Sequence, residues 1–253
     1  MKQQNIILIG TSHIAKESVK NIQNAFEKYK PDIVAIELDE RRLIGLLDTS
    51  KKKERISLSN IKQLGVQAYV LLRLGHWAEH KLGKTVGMKP GIDMLTAYKI
   101  AKKENKKVAL IDQDITITLK RLSKSITWKE KWEFVKDLWR GFVLRKKDDE
   151  LMQIDLTKVP ENELILRLMK RVKTKYPNVY RVLVHERNVF MAKKISELAV
   201  QFPESTIVGV VGAGHKDEME KLIEKTVLTM KKNIPKQSQD SNSISYNFSI
   251  DAN

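Results

Sequence analysis

TIVGVVGAGH, residues 206–215, decides the fold: an apolar run of strand length stops at Gly212 and delivers His215 three residues later. Near the amino terminus, NIILIGTSH (5–13) repeats the arrangement with Gly10 and His13. With 11 glycines and 5 histidines in the chain, about 0.2 G-x-x-H pairs are expected by chance, so composition does not account for two. Both runs are continuously apolar and do not alternate, which is the pattern of parallel strands covered on both faces.

Working outward, the first 40 residues read as strand, helix, strand: NIILIG, a segment from His13 to Tyr29 with Ile14, Val19, Ile22 and Phe26 on one face, then DIVAIEL after Pro31. A second such unit is GIDMLTAYKIAKKENK followed by KVALID, with Met94, Ala97, Tyr98 and Ala101 on one helical face. Residues 43–90 hold a lysine-rich break and an apolar stretch that reads as helical. A long helical region runs from about Ile117 to Tyr176, and another helix, around RNVFMAKKISELAVQF, leads into TIVGVVG. The expected fold is therefore α/β: a central, mostly parallel sheet flanked by helices, with a long helical insertion (about 117–176) before the last helix–strand unit. The domain is expected to span 1–230, with a polar, flexible tail over 231–253. No tandem repeat of fixed period is present.

Within the insertion, Trp128, Trp132, Val135, Trp139 and Phe142 form one stripe at helical spacing. Such a stripe packs into a core, meets a protein partner, including a second copy through Trp128, Trp132 and Trp139, or lies on a membrane surface.

The net charge of +16, from 47 Lys+Arg against 31 Asp+Glu, invites an anionic partner. Because the lysines are interleaved with glutamates along helices and no nucleic-acid-binding signature is present, nucleic acid is not expected. Zero cysteines remove disulfides and thiolate ligation, leaving His, Asp and Glu as candidate metal ligands. No window of about 18 uncharged apolar residues exists, and the amino terminus runs straight into a strand, so the expected location is cytoplasmic, with membrane association if the native chain is longer.

The strands share an ending. NIILIG leads to His13, DIVAIE to Glu37 and Asp39, KVALI to Asp112 and Asp114, and TIVGVVG to His215. Ligands of open parallel sheets bind at the carboxyl ends of strands, so these ionisable groups converge on one cleft. Two histidines with carboxylates suit a divalent ion that keeps an open position for water. Taken singly, Glu37 or Asp112 could equally cap a helix. His76 and His80 share a helical face at i, i+4 but lack the glutamate of H-E-x-x-H. HERN (185–188) adds Glu186 and Arg187.

The ordered set GTSH (10–13), VAIELDERR (34–42), GIDM (91–94), LIDQDITITLKR (110–121), HERNVFMA (185–192) and VVGAGH (210–215) resembles the TraB family, which includes pheromone-shutdown proteins and is related to the Tiki metalloproteases. The resemblance implies an α/β domain with a divalent-metal-dependent, peptidase-like hydrolase site. His13, His215 and Glu37 would hold the ion (Mn, Co or Zn), Glu186 or Asp93 would serve as general base, and Arg187 would stabilise the oxyanion or orient a peptide or small-molecule substrate. Asp93 stands where the family usually has Glu, and Gln113 where it usually has Arg. Two other readings stay open: a protein that binds or sequesters a peptide without turnover, and a metal-independent esterase using a histidine base.

Overall fold

The computed structural model describes residues 6–11, 16–48, 91–143 and 161–233. His13, His76 and His80 lie outside the described residues. Four strands, β1 (Ile6–Thr11), β2 (Ile33–Ile36), β3 (Lys107–Leu110) and β4 (Ile207–Gly212), form one sheet in the order β1-β4-β2-β3. Every pair is parallel: Ile6 lies opposite Ile207 and Thr11 opposite Gly212, while Ile33–Ile36 sits beside both Lys107–Leu110 and Ile207–Val210. The last strand in sequence is thus a middle strand of the sheet, and all six of its residues are buried.

Because side chains alternate across a strand, each strand feeds two cores. Ile33, Ala35, Ala109 and Val211 face α8 (Glu186–Gln201) and α9 (Ala213–Asn233), which contribute Met191, Ile195, Leu198, Met219 and Ile223. Val34, Ile36, Val208 and Val210 face α1 (Lys16–Tyr29) and α3 (Ile92–Lys103), which contribute Ile22, Phe26, Met94, Ala97 and Ala101. The result is a three-layer α/β/α domain built on a parallel sheet, as the continuous apolar runs predict.

Short caps set the helix starts. Asp39 accepts from the Arg42 amide to begin α2 (Glu40–Leu47), and Asp114 accepts from the Thr116 amide to begin α4 (Ile115–Ser125). Gly91, at φ +82°, takes the left-handed conformation that opens α3. The described part of the long helical region is made of several helices. After α4 the chain restarts at Thr127, whose hydroxyl accepts from the Glu130 amide while the Glu130 carboxylate accepts from the Thr127 amide. That reciprocal capping box opens α5 (Trp128–Val143). Next come α6 (Glu161–Lys175), the single turn α7 (Pro177–Tyr180) and a π-helical turn, Arg181–His185, that runs directly into α8.

The described part of the aromatic stripe, Trp128, Trp132 and Val135, is not core. Trp128 is 75% and Trp132 69% exposed; the side chains of Trp139 and Phe142 lie outside the described set. Among the described residues no helix is long and apolar enough to cross a membrane.

Candidate functional site

The carboxyl ends of the strands are where the chemistry gathers. Backbone pairing continues past the strands: the Glu37 amide donates to Val210 O (3.1 Å), that of Ile111 to Ile36 O (3.0 Å) and that of Asp112 to Leu38 O (3.3 Å). This extended ladder fixes Glu37 and Asp112 side by side at the rim, with their side chains only 4% and 3% exposed. At the neighbouring edge β4 passes into α9 without a loop, so His215 sits in the first turn of that helix. Gly10 of β1 permits the junction, since a Cβ there would lie 3.2 Å from the Ala213 Cα.

Arg187, from the first turn of α8, reaches across to join these groups. Its Nε and one terminal nitrogen grip Asp112 as a fork, at 3.0 and 2.7 Å; the same terminal nitrogen donates to Glu37 Oε1 at 2.6 Å. The other terminal nitrogen donates to Leu183 O (3.2 Å) and approaches His215 Nε2 (3.3 Å). Of the five N–H donors of a guanidinium, four are held by Asp112, Glu37 and Leu183 O, and the fifth faces His215 Nε2. Burial would lower the Arg187 pKa, but Glu37 and Asp112 outweigh it and raise it above its usual value. Glu37 Oε2 accepts from the Gly212 amide at 2.6 Å, and Asp112 also takes Arg42 (3.1 Å) and the Gln113 amide (2.8 Å). Both carboxylates are therefore charge-neutralised and hydrogen-bonded, the condition for burying them.

Behind His215 a second chain of contacts fixes its tautomer. Burial would raise the Glu218 carboxyl, but hydrogen bonds from His185, Asn188 and Tyr180 hold it below its usual value, so it is ionised at neutral pH and only accepts. Asn188 must then turn its amide nitrogen to Glu218 (2.7 Å) and its carbonyl oxygen to His215 Nδ1 (2.5 Å). Nδ1 carries the proton, and the Nε2 lone pair points to the rim, 3.4 Å from Glu37 Oε1. Two ligands of a tetrahedral ion with bonds of about 2.0–2.1 Å lie about 3.4 Å apart, so this pair fits two corners of a metal site. Among the described residues no three His, Asp or Glu side chains converge as a ligand set.

Residues 2–226 match the model of the TraB/PrgY/gumN family. The chain belongs to that family. Among its relatives, an uncharacterized protein of Methanocaldococcus jannaschii is 35% identical over 227 residues, covering 87% of this chain and 54% of that protein. TraB domain-containing proteins of Homo sapiens and Mus musculus are each 25% identical, over 242 and 248 residues, covering 85% of this chain and 62% of theirs. The chain thus spans about half to three-fifths of the length of these relatives.

Set against the TraB motifs, Glu37, Arg187 and His215 come together, with Asp112 held on the far side of Glu37 by the same Arg187. Asp93, buried at the start of α3, accepts from the hydroxyl of Thr11, whose β1 position pairs with Gly212. It therefore stands in the same strand-end layer, beside the point where the chain leaves β1 toward His13. Glu186 does not join: its carboxylate pairs with Arg181 (2.7 Å) and Arg121 (3.1 Å) on the outer side of α8. Asp39 and Asp114 act as helix caps, and Gln113 donates to Thr118 (2.8 Å). Residues not foreseen are Arg42, Glu218 and the orienting role of Asn188. Glu218 carried a usable signal, lying three residues after His215 on the helix that G-A-G-H begins.

Proposed function

We propose that this TraB-family protein is a divalent-metal-dependent, peptidase-like hydrolase. The observation that carries the reading is the His215 Nε2 lone pair, aimed 3.4 Å from Glu37 Oε1 by the Asn188–Glu218 pair behind it. Metal-binding histidines characteristically have their second nitrogen held in this way. His215 and Glu37 would supply two ligands, and His13, two residues past β1 in the sequence, would supply the third. When bound, the ion lowers the pKa of a coordinated water and polarises the carbonyl of the substrate.

The protein's own groups do the rest. Arg187 holds Glu37 at a fixed position and keeps its charge compensated; with four of its donors held by Asp112, Glu37 and Leu183 O, it acts as a positioning residue. The proton-accepting role falls to Asp93, because Glu186 is tied to two arginines away from the rim. Peptide is the favoured substrate class through the family resemblance.

The guanidinium lying between Glu37 and His215 favours one second reading, a metal-free hydrolase in which His215 Nε2 is the general base. Metal analysis separates the two. Protein purified without a metal-affinity tag and incubated with Mn, Co or Zn is expected to retain near-stoichiometric metal, and a folded His215→Ala variant to lose it. A peptide-library assay is expected to lose cleavage on chelation and recover it with added ion. Native protein that retains no metal but cleaves peptides indifferently to chelator would replace the first reading with the second.

A further inference from the structure

Helix α5 is built inside out. Glu130 and Asp137, seven residues apart and so on one face, tie it to the domain. Glu130 accepts from the Asn178 amide (2.8 Å) and its side chain (3.0 Å), while Asp137 pairs with Lys175 (2.5 Å) and Tyr176 (2.5 Å). Trp128, Trp132 and Val135 point the other way, at 75%, 69% and 54% exposure. A helix of a globular domain buries its apolar stripe and presents charge to water; α5 does the reverse over at least two turns.

We infer that this face docks on a membrane surface rich in anionic lipid. Two acids of the helix are engaged on its inner side, whereas Lys129 and Lys136 are exposed and Lys131 lies over the Trp128 ring at 4.7 Å. Tryptophan beside lysine matches the headgroup boundary, where the ring enters the acyl edge and the ammonium meets phosphate. The +16 chain adds long-range attraction to a negative surface and opposes stacking two copies face to face. The inference stands apart from the hydrolase reading, since it uses none of the strand-end residues.

The test is co-sedimentation of the whole chain with vesicles of phosphatidylcholine alone and of phosphatidylcholine with about 30% phosphatidylglycerol, with tryptophan emission followed in parallel. Native protein is expected to bind the anionic vesicles at least about tenfold more tightly than the neutral ones, with a blue-shifted emission. A Trp128→Ala/Trp132→Ala variant, folded by circular dichroism because both side chains face water, is expected to lose at least about tenfold of that affinity. No binding of native protein to anionic vesicles overturns the inference. So does undiminished binding by the variant, which would assign the attraction to diffuse charge. A native dimer that the variant dissociates, without vesicle binding, would assign the face to self-association.

Discussion

Replacing Arg187 by Met should expose how the strand-end carboxylates are kept charged. One terminal nitrogen lies 2.6 Å from Glu37 Oε1 and 2.7 Å from Asp112 Oδ2. Removing one partner of a buried ion pair costs about 3–5 kcal/mol. Glu37 keeps the Gly212 amide, and Asp112 keeps the Gln113 amide and the partly exposed Arg42, so the lower end, about 3 kcal/mol at pH 7, is expected. The deficit should also depend on pH. Without the guanidinium, burial and mutual repulsion penalise two negative charges held side by side in the folded variant. Lower pH relieves that penalty, so the gap to the native protein narrows from pH 7 to about pH 5. Urea denaturation followed by circular dichroism at both values measures it. A variant within about 1 kcal/mol of native at pH 7, or a deficit unchanged at pH 5, refutes the account of Arg187 as the counter-ion of both groups. Arg187→Lys should fall between, because an ammonium cannot span the fork on Asp112 and the bond to Glu37 together.

Other outcomes follow from the same contacts. Asn188→Ala removes the acceptor on His215 Nδ1 and should weaken Mn, Co or Zn binding about 10–100-fold in a direct titration; unchanged affinity would show that the tautomer is set elsewhere. Gly10→Ala pushes a methyl to 3.2 Å from the Ala213 backbone and should lower stability by about 1–3 kcal/mol in the same urea assay; a neutral result would mean that the β1–α9 contact yields. For Glu130, Asp137 and Glu218, burial would raise the pKa but hydrogen bonds hold each below its usual value. Their stabilisation is present above the unfolded-state values and is lost as pH falls through the folded ones. Melting temperature should therefore drop between about pH 5 and pH 3, and Glu218→Gln should flatten part of that drop.

The sheet was legible in the sequence because a parallel strand covered on both faces must be apolar at every position, as IVAI and IVGVVG are. Its order was not. Such strands carry no mark of which neighbour they pair with, so the insertion of β4 between β1 and β2 emerges only from packing. The strand-end ionisable residues were legible as a set, and the structure joins Glu37, Asp112 and His215 through Arg187. That Arg187 reaches the rim while Glu186 does not was beyond the pattern: adjacent helix positions differ by about 100°, and the π-turn before them shifts the phase of α8. The reversed amphipathicity of α5 was hidden for a related reason, since periodicity identifies a stripe but not the side on which water lies.

The central position of β4 bears on how the protein is made. Among the described strands, until residues 207–212 leave the ribosome, β1 has no neighbour and β2 lacks one of its two. These apolar strands then wait with open edges while most of the chain is synthesised, which makes the nascent chain, more than the finished protein, the form most in need of a chaperone.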